Sequence, residues 1–335
     1  MRTIVLLILM LLSQTIHAQE WEDKQVFNEG ASSDKLRIIS STDSALFEPI
    51  IQNFVSENSD VTVEYLVTGT ADIDRLFRAN PDAFDLVISS AMDLQLKIVN
   101  DGLALPLVNV THPAWAQWRQ SLFAFTSEPV SIVINRAAFE GQPIPKSRQE
   151  LIEAIRKRPE VFQGRVGTYD IRQSGAGYLF ATQDARASET YWRLMEVMGG
   201  LDMRLYCCSS EMIDDLSDGT LAVAYNVLAS YAAARAESKD ALAIILPSDF
   251  PTTMMRTALV SRDAVNFEPA AAFVRHLIAL QSGADKEVFP LPPLNSQLND
   301  DDRSTIALEP ALITYLDALK RQKFLAEWED AVIQK

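Results

Sequence analysis

Three times between Leu36 and Asn100 a short apolar run gives way to a Ser/Thr/Gly loop and then to helical spacing. Leu36-Arg-Ile-Ile stops at Ser40-Ser-Thr-Asp43, and apolar residues at Leu46, Ile50, Ile51 and Phe54 follow. Val61 to Val67 alternates, stops at Thr68-Gly-Thr70, and hands over to a helix pattern across 71–78. Asp85-Leu-Val-Ile-Ser89 reads as a buried strand that ends at Ser89-Ser-Ala-Met-Asp93, before a helix to about Asn100. Period-two and short apolar runs make strands, and spacing of three and four makes helices. Repeated β-α units predict a parallel sheet with helices outside. Ligands of open sheets sit beyond the carboxyl ends of the strands, so these loops are where a site is expected.

The pattern then changes. Phe123 to Asn135 carries two strand-like runs around Glu128-Pro129, and a proline there predicts a sheet edge or a crossing between lobes. Ser147 and Glu150 make a capping box for a helix, and Val166 to Tyr169 is the next strand. A Ser174-Gly-Ala-Gly177 turn precedes a long helix, and a further helix from Tyr191 to Met198 closes on Gly199-Gly200. Strands follow at 221–226, 242–246 and 257–260, and helices at 268–282 and 308–334. The expected fold is α/β and two-lobed, each lobe a mixed, mainly parallel sheet flanked by helices, with two crossing strands between them. Lobe I is expected over 36–127 and 252–335, lobe II over 128–251, and residues 19–35 read as a flexible lead-in.

Residues 1–18 have the form of a cleaved secretory signal: Arg2, an apolar core from Ile4 to Leu12, and small Ala18 at the cut. The core is short for a bilayer span, and no Cys follows it for lipidation, so a periplasmic chain is expected. The formal charge of −15 disfavours nucleic acid and anionic membranes, and leaves any anionic ligand to be held by local donors. Beyond the signal only His112 and His276 remain, far apart, so no metal centre, cofactor or Ser-His-Asp triad is expected. The two cysteines, Cys207 and Cys208, are adjacent; in an oxidising compartment they either close a vicinal disulfide or stay as half-buried thiols.

The Ser174-Gly175-Ala176-Gly177 turn offers free N–H groups at a helix start, with glycines that let an anion come close. Arg172 stands just before it and is suited to pair with an anion through its fork. The plainer alternative is a helix N-cap with no ligand, and the same alternative holds for Ser40 to Asp43. Asp43 reads slightly better as a cap than as a ligand, and Arg256 ranks below Arg172 as a cleft cation.

In their order, the Ser40-Ser-Thr-Asp43 loop, Asp85-Leu-Val-Ile-Ser-Ser90, Glu128-Pro129 leading to Ile134-Asn135, Ser174-Gly-Ala-Gly177, Tyr225-Asn226 and Pro247-Ser-Asp249 resemble the type 2 periplasmic solute-binding proteins of ABC transporters. The nearest branch is the ferric-iron and phosphate-ester group, with the phosphoglycerate regulatory proteins. The resemblance covers residues 36–335 and implies ligand in an interlobe cleft, hinge closure, and docking to a permease. It places Ser41, Thr42, Thr70 and Ser90 on the wall opposite Ser174 to Gly177, and Tyr225 and Asn226 near the ligand. The ferric branch uses a neighbouring tyrosine pair at that last position. Here the second tyrosine is Asn226, and Tyr231 is a poor substitute, which favours a phosphate ester, phosphonate or carboxylate over iron. The expected protein is a monomer that delivers this anion to an ABC permease. The alternatives are a sensory protein presenting it to a histidine kinase, and a ferric-iron carrier. An enzyme is not expected, because Ser174 has no histidine base within its sequence neighbourhood.

Overall fold

A computed structural model describes residues 21–32, 35–235, 241–283, 285–294 and 304–334. The signal-like segment at 1–18 lies outside the described residues. Among those described, no helix is long and apolar enough to cross a membrane.

The first lobe opens with strands β1 (Asp23–Phe27) and β2 (Lys35–Ser40), helix α1 (Ser44–Glu57), β3 (Thr62–Val67), α2 (Thr70–Ala79), β4 (Leu86–Ser89) and α3 (Met92–Asn100). Two short strands follow, β5 (Gln117–Trp118) and β6 (Leu122–Ala124). β2 lies between β3 and β4, parallel to both, as the repeated β-α units require. Alternation in sequence becomes two faces in space. Leu36, Ile38, Val63, Tyr65, Leu86 and Ile88 pack under α1, while Ile39, Leu66 and Val87 join a second cluster on the opposite face with residues of α2 and α3. Both faces of these strands are therefore buried, which is why the runs read as nearly continuous apolar stretches.

β1 corrects the expectation of a flexible lead-in at 19–35. It pairs antiparallel with β3, from Asp23 opposite Val67 to Phe27 opposite Val63. Its backbone hydrogen bonds and the burial of Phe27 hold in place a segment whose polar composition suggested a loose tail.

The chain leaves the first sheet after β6 and enters the second as β7 (Glu128–Asn135). The second lobe adds α4 (Arg148–Lys157), α5 (Pro159–Phe162), β8 (Val166–Tyr169), α6 (Gly175–Ala187), α7 (Thr190–Gly199), β9 (Arg204–Tyr206), α8 (Ser209–Ser217), β10 (Val223–Leu228), α9 (Ala229–Arg235) and β11 (Leu242–Ile245). Ser147 caps α4 by accepting from the Glu150 N–H at 3.1 Å, and the Glu150 carboxylate accepts from Lys146 rather than from Ser147 itself. The sheet runs β11-β7-β10-β8-β9, antiparallel around β7 and parallel from β10 to β9.

The return to the first lobe is made by β12 (Thr252–Met254), which pairs with the start of β7, and β13 (Thr257–Val260), which lies between β4 and β6. Only Met255 and Arg256 separate these strands, so Arg256 sits where the chain changes sheets, next to Glu128 on the outgoing crossing. Helix α10 (Phe267–Gln281) then covers the first sheet beside α1.

The end of the chain departs from the expectation that 252–335 belongs wholly to lobe I. A 3₁₀ segment at Pro310–Leu316 packs on α3, but the last helix, α11 (Ala318–Ile333), lies on α7 of lobe II. Phe324, Trp328 and Val332 join the lobe II core. Gly199 permits the approach, since a Cβ there would stand 2.5 Å from the Ala331 carbonyl oxygen. The C-terminal segment is thus a strap from one lobe to the other.

Candidate ligand cleft

The βα junctions of both lobes open onto one cleft. From lobe I come Ser41 and Asp43 before α1, Thr68, Gly69 and Thr70 at α2, and Ser90 before α3. From lobe II come Tyr169 and Ser174 before α6, Cys207 and Cys208 before α8 with Ser209 and Ser210 in its first turn, and Tyr231 on α9. Each junction places a helix N-terminus at the cleft with the positive end of its dipole, and some of the N–H groups there are taken by cleft hydroxyls, Ser90 by Ser41 and Gly177 by Ser174. Arg256 lines the cleft from the interlobe crossing, and Glu22 from the residue before β1.

The lobes stand closed on each other, leaving a cavity of about 50 Å³. Hydrogen bonds among the described residues span the seam. The Ala176 N–H, in the first turn of α6, donates to Thr70 Oγ1 at 3.0 Å. The Tyr231 hydroxyl lies 3.3 Å from both the Asp43 N–H and the Asp43 carboxylate. Asp43 makes no side-chain cap to α1, and its carboxylate lines the cleft beside Tyr231.

Arg256 is fully buried and paired with equally buried Glu128, Nε to Oε1 at 3.0 Å and Nη2 to Oε2 at 3.1 Å. Its remaining nitrogen, Nη1, donates to Thr42 Oγ1 at 2.5 Å. The cleft also carries two acidic groups, Glu22 and Asp43. Loss of water around Glu22, then the charges of Asp43, Glu211 and Asp72, push its carboxyl up. Burial pushes the Tyr169 phenol up to about 12 and the Tyr231 phenol higher still, so both are neutral hydrogen-bonding groups at physiological pH.

Of the residues expected from sequence, Ser41, Thr70, Ser90, Ser174 and Ala176 meet in the cleft. Ser174 also caps α6, its Oγ accepting from the Gly177 N–H at 3.1 Å, so cap and cleft wall coincide in one residue. Thr42 stands behind the wall, where it holds Arg256. Gly177 packs on Tyr169, 2.3 Å from the Tyr169 Cβ for a Cβ built at that glycine, and Gly175 faces Leu94 and Thr70 on the outer side of the turn.

Three expected residues are turned away from the cleft. The Arg172 guanidinium is committed to Asp170, with Nε 2.8 Å from Oδ1 and Nη2 2.7 Å from Oδ2, and reaches Glu329 at 3.4 Å. Tyr225 points into the interior of lobe II, donating to Asp184 at 2.7 Å and accepting from Arg148 at 2.5 Å. Asn226 donates to the same carboxylate at 2.9 Å. A β-bulge between Tyr225 and Val227, with Asn226 at φ 65°, breaks the alternation that would have put one of the pair on the cleft side.

Sequence reasoning did not single out Glu22, Tyr169, Ser209 and Ser210, which line this cleft together with Arg256, Tyr231 and Asp43. The local signal for Ser209 was its place just after a strand and before an acidic first helical turn. Cys207 and Cys208 are joined as a vicinal disulfide on the lobe II wall. Their sulfurs lie within 4.8 Å of the Glu22 carboxylate, the only metal-sized grouping of His, Cys, Asp and Glu among the described residues. The disulfide occupies both thiols, so this grouping is not a metal centre.

Residues 85–308 match the family of bacterial extracellular solute-binding proteins. Among solved structures, the substrate-binding protein of an ABC transporter from Agrobacterium tumefaciens is 29% identical, with a TM-score of 0.84 over 92% of this chain and 98% of that one. The periplasmic binding protein AfuA from Actinobacillus pleuropneumoniae, solved with fructose-6-phosphate, is 14% identical, with a TM-score of 0.72 over 89% and 98%. Iron-bound HitA from Pseudomonas aeruginosa is also 14% identical, with a TM-score of 0.66 over 89% and 99%. These last two share the fold. No curated protein matches the sequence.

Proposed function

Because the chain belongs to the bacterial extracellular solute-binding proteins, the non-catalytic capture components of ABC transporters, we propose that it takes a small hydroxyl-bearing anion, a phosphate ester first of all, into the interlobe cleft and delivers it to an ABC permease from the periplasm. The observation that carries this reading is the convergence of helix N-termini from both lobes on one cleft that also holds Arg256. In a chain of charge −15, that is a place where oriented N–H groups offset the overall field. Glu22 and Asp43 supply acceptors for ligand hydroxyls, which favours an ester of a polyol over inorganic phosphate, and over a phosphonate or carboxylate lacking hydroxyls.

A ferric ligand is less well supported. Tyr225 and Asn226, at the position of the ferric branch's tyrosine pair, serve the lobe II interior. AfuA, which shares this fold, was solved with fructose-6-phosphate bound.

The test is a thermal-shift titration of protein that has been unfolded and refolded to strip bound solute. A sugar phosphate is expected to raise the melting temperature in a saturable way, and the parent sugar without phosphate to leave it unchanged. An equal response to the parent sugar, or a response to ferric citrate alone, would overturn the anion reading.

A further inference from the structure

On the outer side of the Ser174–Gly175 turn lies a second cavity, of about 240 Å³. Three separately connected parts of the chain meet around it. Lys97 comes from α3 in lobe I, Arg172 from the loop before α6 in lobe II, and Arg321 from α11 at the end of the strap. Asp74 is the one acidic residue of the lining, and it is engaged by Arg78 at 2.8 Å.

The charges are unequally compensated. Arg172 is forked by Asp170 and reaches Glu329 at 3.4 Å, and Lys97 is paired with Asp101 at 2.8 Å. Arg321 makes no ion pair with any described residue; its guanidinium carbon lies 4.5 Å from the centre of the Tyr178 ring. The carboxyl nearest to it in effect, Asp93, is fully enclosed, and burial pushes it up to about 7, so it answers Arg321 only in part at neutral pH. The result is a cationic recess at the lobe seam of a strongly acidic protein.

We propose that this seam cavity is an accessory oxyanion site, taking an ion of the phosphate or sulfate class, and that its occupation favours the closed arrangement of the lobes. Of the cations that line it, Lys97 sits on lobe I, and Arg172 and Arg321 sit on lobe II, on which α11 packs, so the three come together only when the lobes close. Their mutual repulsion opposes closure, and an anion between them reverses that sign. Its volume of about 240 Å³ admits a tetrahedral oxyanion with water. Whatever favours closure also tightens the cleft ligand, by the reciprocity of linked equilibria. This proposal does not depend on the identity of the cleft ligand.

The experiment is a calorimetric titration of the protein with inorganic phosphate, sulfate and chloride at matched, low ionic strength, beside the Lys97→Gln/Arg321→Gln variant. Both residues are partly exposed and neither lines the cleft, so the variant folds and keeps the cleft. Wild type is expected to bind phosphate and sulfate, not chloride, at a site the variant loses or binds at least tenfold more weakly. If the cleft also takes phosphate, wild type shows two sites and the variant one. Small-angle scattering should show compaction by sulfate in wild type alone. Identical isotherms for the two proteins, or no response of wild type to either oxyanion, would refute the site. The phosphate-ester thermal shift in the variant reports on the cleft separately.

Discussion

Arg256 and Glu128 face each other across the two segments that join the lobes, both fully buried, with two nitrogen–oxygen contacts of 3.0 and 3.1 Å. Glu128 also accepts from Thr126 at 2.8 Å and from Ser230 at 2.5 Å, and the Arg256 N–H donates to Thr126 at 2.9 Å. The hinge and the cleft therefore share one polar network.

Breaking this pair from one side should separate its structural and binding roles. Arg256→Met leaves a buried carboxylate without its counter-charge, at a cost of about 3–5 kcal/mol in urea unfolding. The double variant Glu128→Gln/Arg256→Met removes both charges and should recover at least half of that loss. Ligand binding should stay more than tenfold weaker in both, because each lacks the cleft cation. Recovery of affinity together with stability would show that Arg256 only holds the hinge.

Closure should depend on Thr70. Thr70→Val keeps the shape and removes the acceptor that the Ala176 N–H finds across the seam. The net value of such a bond is about 1 kcal/mol, so cleft affinity should fall roughly fivefold if the bond survives in the liganded form. If the ligand instead displaces Thr70 from the N–H, affinity should rise, since the free protein then closes less readily on itself. Calorimetry with the identified ligand distinguishes the two, and scattering of the unliganded variant should show a more open form in either case.

Local signals made much of this molecule legible. Alternation at Val63, Tyr65 and Val67 placed β3, and Ser174 with its glycines marked the start of α6 at the cleft. The choice between arginines could not be made locally. Arg172 follows Asp170 by two residues at a turn, a spacing that lets the carboxylate capture the guanidinium. Arg256 finds its partner 128 positions away, a relation that exists only once the chain has crossed twice between sheets. Tyr225 and Asn226 were misplaced because a bulge changes the face a residue presents, and periodicity alone does not announce a bulge. Glu22 was missed because β1 is an edge strand of mostly polar residues, stabilised by pairing with β3.

The vicinal disulfide should matter more for binding than for folding. A bridge between neighbouring residues closes so short a loop that it restrains the unfolded chain little, worth about 1 kcal/mol or less. It nonetheless forms part of the cleft wall beside Glu22. Reduction by a dithiol turns two sulfur acceptors into two S–H groups and frees the peptide between them. The Cys207→Ser/Cys208→Ser variant and the reduced wild type should both show a small change in melting temperature and at least a threefold change in ligand affinity. An unchanged affinity would mean that the ligand does not reach this wall.

The buried carboxyl of Asp93 gives the protein a pH dependence opposite to that of an ordinary paired carboxylate. Burial raises it to about 7; the N–H of Leu94, at 2.9 Å, and the charge of Arg321 pull the other way and do not cancel the burial. Between about pH 4 and pH 7 the folded protein keeps a proton on Asp93 that the unfolded chain, with an ordinary Asp, releases. Stability from this group is therefore fully present below about pH 4, falls as pH rises through that window, and is flat above it. The limit is about 4 kcal/mol for a shift of roughly three units. Asp93→Asn, a near-isosteric stand-in for the protonated acid, should match wild type at pH 4 to 5 and exceed it by about 1–3 kcal/mol at pH 8, within that limit. Urea unfolding at the two pH values measures this. A variant less stable than wild type at pH 8 would show that the ionised Asp93 is held by Arg321 strongly enough to outweigh its burial, so that the strap is fastened to α3 by an ion pair.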